Sequence, residues 1–350
     1  MTIILQILSI TVGFGFLIFI HELGHFLAAK MCKVRILTFA FGFGPDLIKY
    51  TYNGTKYCIK IIPFGGFVRM AGDNPKEATG SDGEYLSLKW YEKIWISFAG
   101  PFSNYILAVF LFTLVFNIWG AVKIPTDLSV GAVVKNYPAE TAGIIPGDKI
   151  KSVDSVEINT WNDLSANLKD KANKQTSFLI ERGDSSFELS MIVAKNPVTG
   201  IGTIGITPVK IKVGFLKSIH LGVKTLIVNT IVPVVYLADK VMSLEKPEIS
   251  GPIGIMQIMA NAAKIGMQDY LRLIAVISVA LGLFNLFPIP MVDGGMILLF
   301  LVERIIRKQI STKVVQVYNT TGLILMISIL LFATYSDLLR LGIGRLFASS

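Results

Sequence analysis

Charged side chains are scarce in this chain, 16% of 350 residues against 52% hydrophobic, and the mean hydropathy is +0.60. Soluble domains carry about a quarter charged residues. The deficit excludes a wholly soluble enzyme and leaves a membrane protein with room for one soluble domain. Cysteine is nearly absent: Cys32 and Cys58 are the two, with no Cys-x-x-Cys, so no disulfide framework is expected and both read as spare thiols. No basic run with interleaved aromatics accompanies the net charge of +9, which excludes a nucleic-acid partner and is accounted for by lysines flanking membrane spans. The N-terminus lacks the basic n-region and small-x-small site of a secretory signal, so segment 2–29 is expected to remain in the mature protein.

Histidine is also rare, with three in the chain, yet two stand together in Ile18–Phe26, which reads Ile-Phe-Ile-His-Glu-Leu-Gly-His-Phe at the end of an uncharged run. Residues at i and i+4 share a helix face, so His21 and His25 can grip one metal ion. Glu22, next to the first of them, is placed to act as general base beside the metal. Ionisable groups in a bilayer are costly and rarely ornamental. Three of them within five residues need a common partner, and zinc, one per chain, is the economical one.

Residues 3–29 read as the first span, followed by Lys30, Lys33 and Arg35, which places the N-terminus outside and His21 and His25 toward the cytoplasmic end. Val34–Phe43 and Tyr57–Ile62 are strand-like around the hairpin signal Asn53-Gly54. They form either a small cytoplasmic sheet or a hairpin dipping into the membrane beside the metal, where a strand edge could hold an unwound substrate. Trp90 and Tyr91 mark an interfacial segment before a second span at 96–119, in which Asn104 could bond a neighbouring helix or serve the active site, the helix contact being the simpler expectation. A soluble domain follows. Its strand-like runs enclose Pro138-Ala139-Glu140-Thr141-Ala142-Gly143-Ile144-Ile145-Pro146-Gly147-Asp148 and a second helix at Trp161–Leu168, an order that resembles a PDZ domain. Such domains bind extended peptides by strand addition, often at a terminus, or this one acts as a steric gate.

Thr225–Ala238 is uncharged but only 14 residues long and contains Pro233, which suits an interfacial or re-entrant helix better than a span. The third span, about 270–290, ends in Asn285-Leu286-Phe287-Pro288-Ile289-Pro290-Met291-Val292-Asp293-Gly294-Gly295, where two prolines break the helix. Arg304, Arg307, Lys308 and Lys313 form a basic cytoplasmic loop before a fourth span at 316–338. The fold expected is a polytopic α-helical membrane protein with four transmembrane helices, a membrane-associated β-hairpin region and one α+β PDZ domain. Its segments are 1–31, first span with the zinc motif; 32–95, cytoplasmic-side β-region; 96–120, second span; 121–208, extracytoplasmic PDZ domain; 209–268, interfacial helices; 269–315, third span and loop; and 316–350, fourth span and C-terminus.

Catalytic zinc usually takes three protein ligands. Asp293, just after the helix break and on the same side as His21 and His25, is the better candidate for the third, with Glu303 a weaker one and His220 assigned to the outer face. Asn285 could hydrogen-bond substrate backbone or the transition-state oxyanion, or serve as a helix-packing amide.

Taken together, His21-Glu22-Leu23-Gly24-His25, the Gly42–Pro45 stretch, Pro63-Phe64-Gly65-Gly66-Phe67-Val68, the central PDZ-like domain and Asn285…Pro288-Ile289-Pro290…Asp293-Gly294-Gly295 resemble, in order over nearly the whole chain, the bacterial site-2 protease family (peptidase family M50) of the RseP type. The resemblance implies an intramembrane zinc metalloprotease of the inner membrane. His21, His25 and Asp293 would be ligands, Glu22 the catalytic acid/base and Asn285 the substrate-positioning residue. Gly100–Asn104 and Ser250–Gly254 match family segments. It also implies regulated intramembrane proteolysis of single-span membrane proteins, such as trimmed anti-sigma factors and remnant signal peptides. Some relatives carry two PDZ domains, whereas this chain has room for one. Two other classes compete: a metal transporter lined by intramembrane His and Glu, and a PDZ-based membrane adaptor. One metal-binding pair rather than a series argues against the first, and an intact Glu22 against the second.

Overall fold

The computed structural model describes residues 3–74, 77–122, 128–196, 201–244, 251–308 and 310–340; Ser250 of the Ser250–Gly254 segment lies outside them. The chain divides into two compact units, Met1–Thr113 with Ile219–Ser350, and Leu114–Ser218.

The first unit opens with helix α1 (Ile3–Met31), whose buried stripe Leu17, His21, Gly24 and Ala28 recurs every three or four residues, while Ile4, Ile7, Leu8 and Val12 stay exposed. Strands β1 (Ile36–Tyr52) and β2 (Thr55–Met70) follow, joined by Asn53 and Gly54 with φ of 46° and 74°, the positive pair that a two-residue hairpin turn needs. The hairpin then folds back on itself. Phe39 lies opposite Val68 on one side and Tyr57 on the other, and Tyr57 is also opposite Tyr50. The segments order as 66–70, 36–41, 56–59, 48–52, and Lys56 and Lys60 donate to Asp46 at 2.6 and 3.0 Å to tie the fold-back. Helix α2 (Trp90–Trp119) keeps Pro101 inside it, as membrane helices tolerate. It runs antiparallel to α1: Gly24 sits against the Ala99 carbonyl, where a Cβ would collide, and Ser103 Oγ donates to the Ile20 carbonyl at 2.7 Å.

The second unit is built from short elements. They are β3 (Ala121–Val122), β4 (Val130–Val133), α3 (Pro138–Thr141), β5 (Lys149–Val153), β6 (Val156–Glu157), α4 (Trp161–Leu168), β7 (Gln175–Arg182), β8 (Ser185–Ile192), β9 (Ala194–Lys195), β10 (Gly202–Thr203), β11 (Ile206–Pro208) and β12 (Lys210–Ile211). Four strands form the main sheet in the order β6-β5-β7-β8, and β4 pairs with β11. Strand, short helix, tight turn, strand and second helix follow the PDZ order. Val130, Ile150, Phe178, Ile180 and Ile204 fill one core, and α4 starts with a capping box between Thr160 and Asp163.

Asp148, in the tight turn, is fully buried. It accepts two hydrogen bonds from Arg182, at 2.7 and 2.8 Å, and one from the Ile145 amide at 2.9 Å. The Arg182 hydrogen bonds hold the Asp148 carboxyl below the usual range. The stability that this lowered value contributes is complete above the unfolded-state pKa of about 4 and is lost as pH falls through the lower folded value. Arg182→Met should leave the buried carboxylate unpaired, cost about 3 kcal/mol, and move the acid-side loss to higher pH. Amide exchange at Phe178 and Ile180 in the full chain checks it; unchanged protection at neutral pH would contradict the prediction.

Returning to the first unit, α5 (Phe215–Met242) is one continuous helix of 28 residues. Four spans were expected, with 209–268 interfacial; among the described residues five helices are long and apolar enough to cross a membrane, α5 being the additional one. The charge-free run is short, but the helix continues through Lys217, His220 and Lys224, and long side chains near a helix end can reach the interface. Thr225, Asn229 and Thr230 satisfy their side chains on carbonyls one turn back. Four elements complete the unit: α6 (Pro252–Ile265), α7 (Met267–Leu286), α8 (Asp293–Ile306) and α9 (Thr312–Arg340). Asp337 of α9 accepts from the Gly251 and Gly254 amides at 3.0 and 2.8 Å, capping α6.

Contacts fix the directions. Gly222 meets Thr113, so α5 returns antiparallel to α2, with Tyr105 hydrogen-bonded to Thr230 further along. Tyr270 donates to the Ser9 carbonyl at 2.5 Å and Ile274 packs at Gly13, so α7 runs parallel to α1. Helices α5 and α7 therefore point the same way, α6 turns into α7 at Gly266, and the C-terminal end of α7 leads to Asp293 beside His21 and His25 of α1.

Candidate metal centre

Helix α1 presents His21 and His25 on one face, the two rings edge-on at 4.8 Å between centroids. Their Nε2 atoms are 3.2 Å apart. The chain between α7 and α8 brings in the third group. Phe287 leaves the helix with extended backbone, Met291 adopts φ of 76°, and α8 starts at Asp293. Gly294 and Gly295 lie against the Phe287 and Ile289 carbonyls, where side chains would collide, so the double glycine permits the tight return. Asp293 Oδ2 is then 3.2 Å from His21 Nε2, and Oδ1 is 3.4 Å from His25 Nε2.

Two imidazoles and a carboxylate are a zinc donor set. Tetrahedral zinc with bonds of about 2.0–2.1 Å separates its ligand atoms by about 3.3 Å. The Nε2 pair at 3.2 Å matches that spacing, each Nε2 has a different Asp293 oxygen at 3.2 or 3.4 Å, and one ligand atom from each residue lies within 4.8 Å of the others, so these residues can hold one zinc ion. Of the alternatives left open by the sequence, Glu303 instead accepts from the Ile310 amide at 3.0 Å, and His220 lies on α5. Cys32 and Cys58 are free thiols outside the cluster.

Glu22 faces the β-region. Its carboxylate accepts a hydrogen bond from the Val68 amide, and Gly66 leaves room for its side chain, since a Cβ there would come to 3.1 Å from Glu22 Cγ. Asn285 is not drawn into the cluster: its amide donates to the Leu281 carbonyl one turn back at 2.9 Å.

One wall of the site was read from the sequence only in part, as Asn104 with an open role and as the Gly100–Asn104 segment. Ile96, Gly100 and Asn104 repeat every four residues on one face of α2, and all three meet the histidines. His25 Nδ1 donates to the Ile96 carbonyl at 2.8 Å, the His25 ring lies on Gly100, and the Asn104 amide is 3.3 Å from His21 Nδ1. The available signal was the four-residue spacing of Gly100 and Asn104 in an apolar helix. Asn104 does touch a neighbouring helix, as expected, but at a side chain of the candidate metal centre. Gly100→Ala should push the His25 ring from its place and weaken zinc binding by about 10–100-fold, the range for a disturbed supporting residue. A chelator titration of the purified protein checks this; unchanged affinity would contradict it.

The family model of peptidase family M50 matches residues 9–329. Relatives carrying the provisional name zinc metalloprotease include a Clostridium acetobutylicum protein, 32% identical over 93% of this chain and 95% of its own length. Another, from Campylobacter jejuni, is 32% identical over 96% of this chain and 94% of that one. A Clostridium perfringens relative is 31% identical over 96% and 99% respectively. Among solved structures, a PDZ domain of an SdrC-like protein of Listeria monocytogenes is 22% identical, covering 25% of this chain and 94% of that one, with a TM-score of 0.22. With the family match spanning nearly the whole chain, and with a zinc donor set at its centre, the chain belongs to peptidase family M50 as a zinc metalloprotease.

Proposed function

We propose that this chain is a site-2-type protease, hydrolysing peptide bonds within or beside the membrane-spanning segments of single-span proteins in the bacterial inner membrane. One observation carries the reading: the zinc donor set and Glu22 sit among helices apolar enough to cross a membrane, at the edge of a β-sheet.

His21, His25 and Asp293 would hold the zinc. When bound, zinc polarises a carbonyl and lowers the pKa of water. Glu22 takes a proton from the attacking water and delivers it to the leaving amine. The Val68 amide fixes the carboxylate for that exchange. Peptide bonds in an intact helix are hard to attack, so the substrate must be extended first. No second strand flanks 66–70 among the described residues, and a substrate strand added there would carry its backbone past Glu22. Asn285 would exchange its bond to Leu281 for one to substrate backbone.

The directions of the helices support a topology in which Lys30, Lys33 and Arg35 share the cytoplasmic side with Arg304, Arg307 and Lys308. Both termini and the PDZ-like unit are then extracytoplasmic. That unit would receive peptide termini or exclude bulky ectodomains. Substrates of the expected kind are anti-sigma-like proteins already trimmed outside and signal-peptide remnants.

The test needs no known substrate. Membrane proteomes of cells carrying the native chain or Glu22→Gln are compared; single-span stubs should accumulate in the variant. Identical proteomes, together with zinc flux through liposomes holding the purified protein, would replace this reading with the transporter.

A further inference from the structure

His25 is oriented unambiguously. A carbonyl only accepts, so the bond to Ile96 puts a proton on Nδ1, and in the neutral ring that binds a metal Nε2 then carries the lone pair, facing Asp293 and His21. His21 turns its own Nε2 to the same place, 3.2 Å from both Asp293 and His25 Nε2. Binding a metal through that atom requires the proton on Nδ1, and that proton requires an acceptor.

The group opposite is the Asn104 amide, 3.3 Å away and fully buried, and Asn104 Oδ1 has no partner at the nitrogen-inward orientation. Amide oxygen and nitrogen occupy almost the same space, so chemistry decides which one faces the ring. An N–H set against the Nδ1–H is repulsive, whereas the oxygen accepts it. The α2 backbone at Asn104 is also tied to α7: Ser278 Oγ, itself fully buried, donates to the Asn104 backbone carbonyl at 2.8 Å.

We propose that Asn104 is the positioning residue of His21, accepting Nδ1–H on its amide oxygen as the Ile96 carbonyl does for His25, so that α2 sets the tautomer and tilt of both metal-binding rings. A neutral acceptor suits the place. Zinc, Asp293 and Glu22 already sum to zero formal charge, so the acceptor at His21 need carry none. The proposal rests on zinc binding through the two Nε2 atoms.

Zinc affinity of the full chain in detergent, read by competition with a chromogenic chelator, tests it. Asn104→Leu keeps the side-chain shape and removes the acceptor; its affinity should fall by about 10–100-fold. Asn104→Asp restores an acceptor and should bind zinc as tightly as the native chain or more tightly. Native affinity in Asn104→Leu, or equal losses in both variants, overturns the proposal; failure of the native chain to bind zinc overturns instead the metal site on which it rests. Should Asn104→Leu fail to fold, the native protein decides. With three histidines in the chain, nitrogen-15 spectra of the zinc-loaded form should show His21 protonated at Nδ1. A His21 ring protonated at Nε2 and bound through Nδ1 rules the assignment out.

Discussion

Glu22→Gln should abolish proteolysis while zinc stays bound. The amide matches the carboxylate in shape but cannot accept a proton at neutral pH, and general-base catalysis is worth about 10²–10⁴-fold in rate. Three other carboxylates of the same unit are already engaged. Asp293 is committed to the two histidines, Glu303 accepts from Ile310, and Glu84 is bonded to Thr79 and Ser81. Because Glu22 is not in the donor set, metal content should equal that of the native chain. Cleavage rate and zinc content, measured on one preparation, check both halves. A Gln variant within about tenfold of the native rate would remove Glu22 from the mechanism.

Asp293→Ala should lose the zinc. Removing a residue that merely supports a ligand costs about 10–100-fold in metal affinity, so removing one of three ligands should cost more than about a hundredfold. The two Nε2 atoms, 3.2 Å apart, would then face each other without the carboxylate that bridges them. His21→Ala should behave alike. Both residues belong to the other unit, so amide exchange within Leu114–Ser218 should be unchanged and separates ligand loss from misfolding. Native zinc content in Asp293→Ala would remove that residue from the donor set.

Much of this site could be read in the chain because its chemistry is local. His21, Glu22 and His25 lie within one helical turn, and the buried cost of such groups made the membrane setting informative. Asn53-Gly54 marked the hairpin turn through its demand for positive φ. Asp293 could be preferred over Glu303 and His220 only from its place just after the helix break and from topology, since nothing local says which distant residue returns to α1. The fold-back of β1 between 66–70 and 56–59 is a long-range pairing with no periodic trace. The full length of helix α5 was missed because its charge-free run is half the length of the helix that contains it. The face of α2 was legible only as spacing, because the role of Asn104 depends on which ring atom it meets.

The most direct measurement is made on the purified, zinc-loaded chain in liposomes with a single-span protein taken from the stubs that accumulate with Glu22→Gln. Mass spectrometry of the products locates the cleaved bond. The account predicts cleavage inside or at the edge of the apolar segment, lost on chelation, restored by zinc and absent in Glu22→Gln. Cleavage confined to the aqueous portion of the substrate, or persisting in Glu22→Gln, would contradict it.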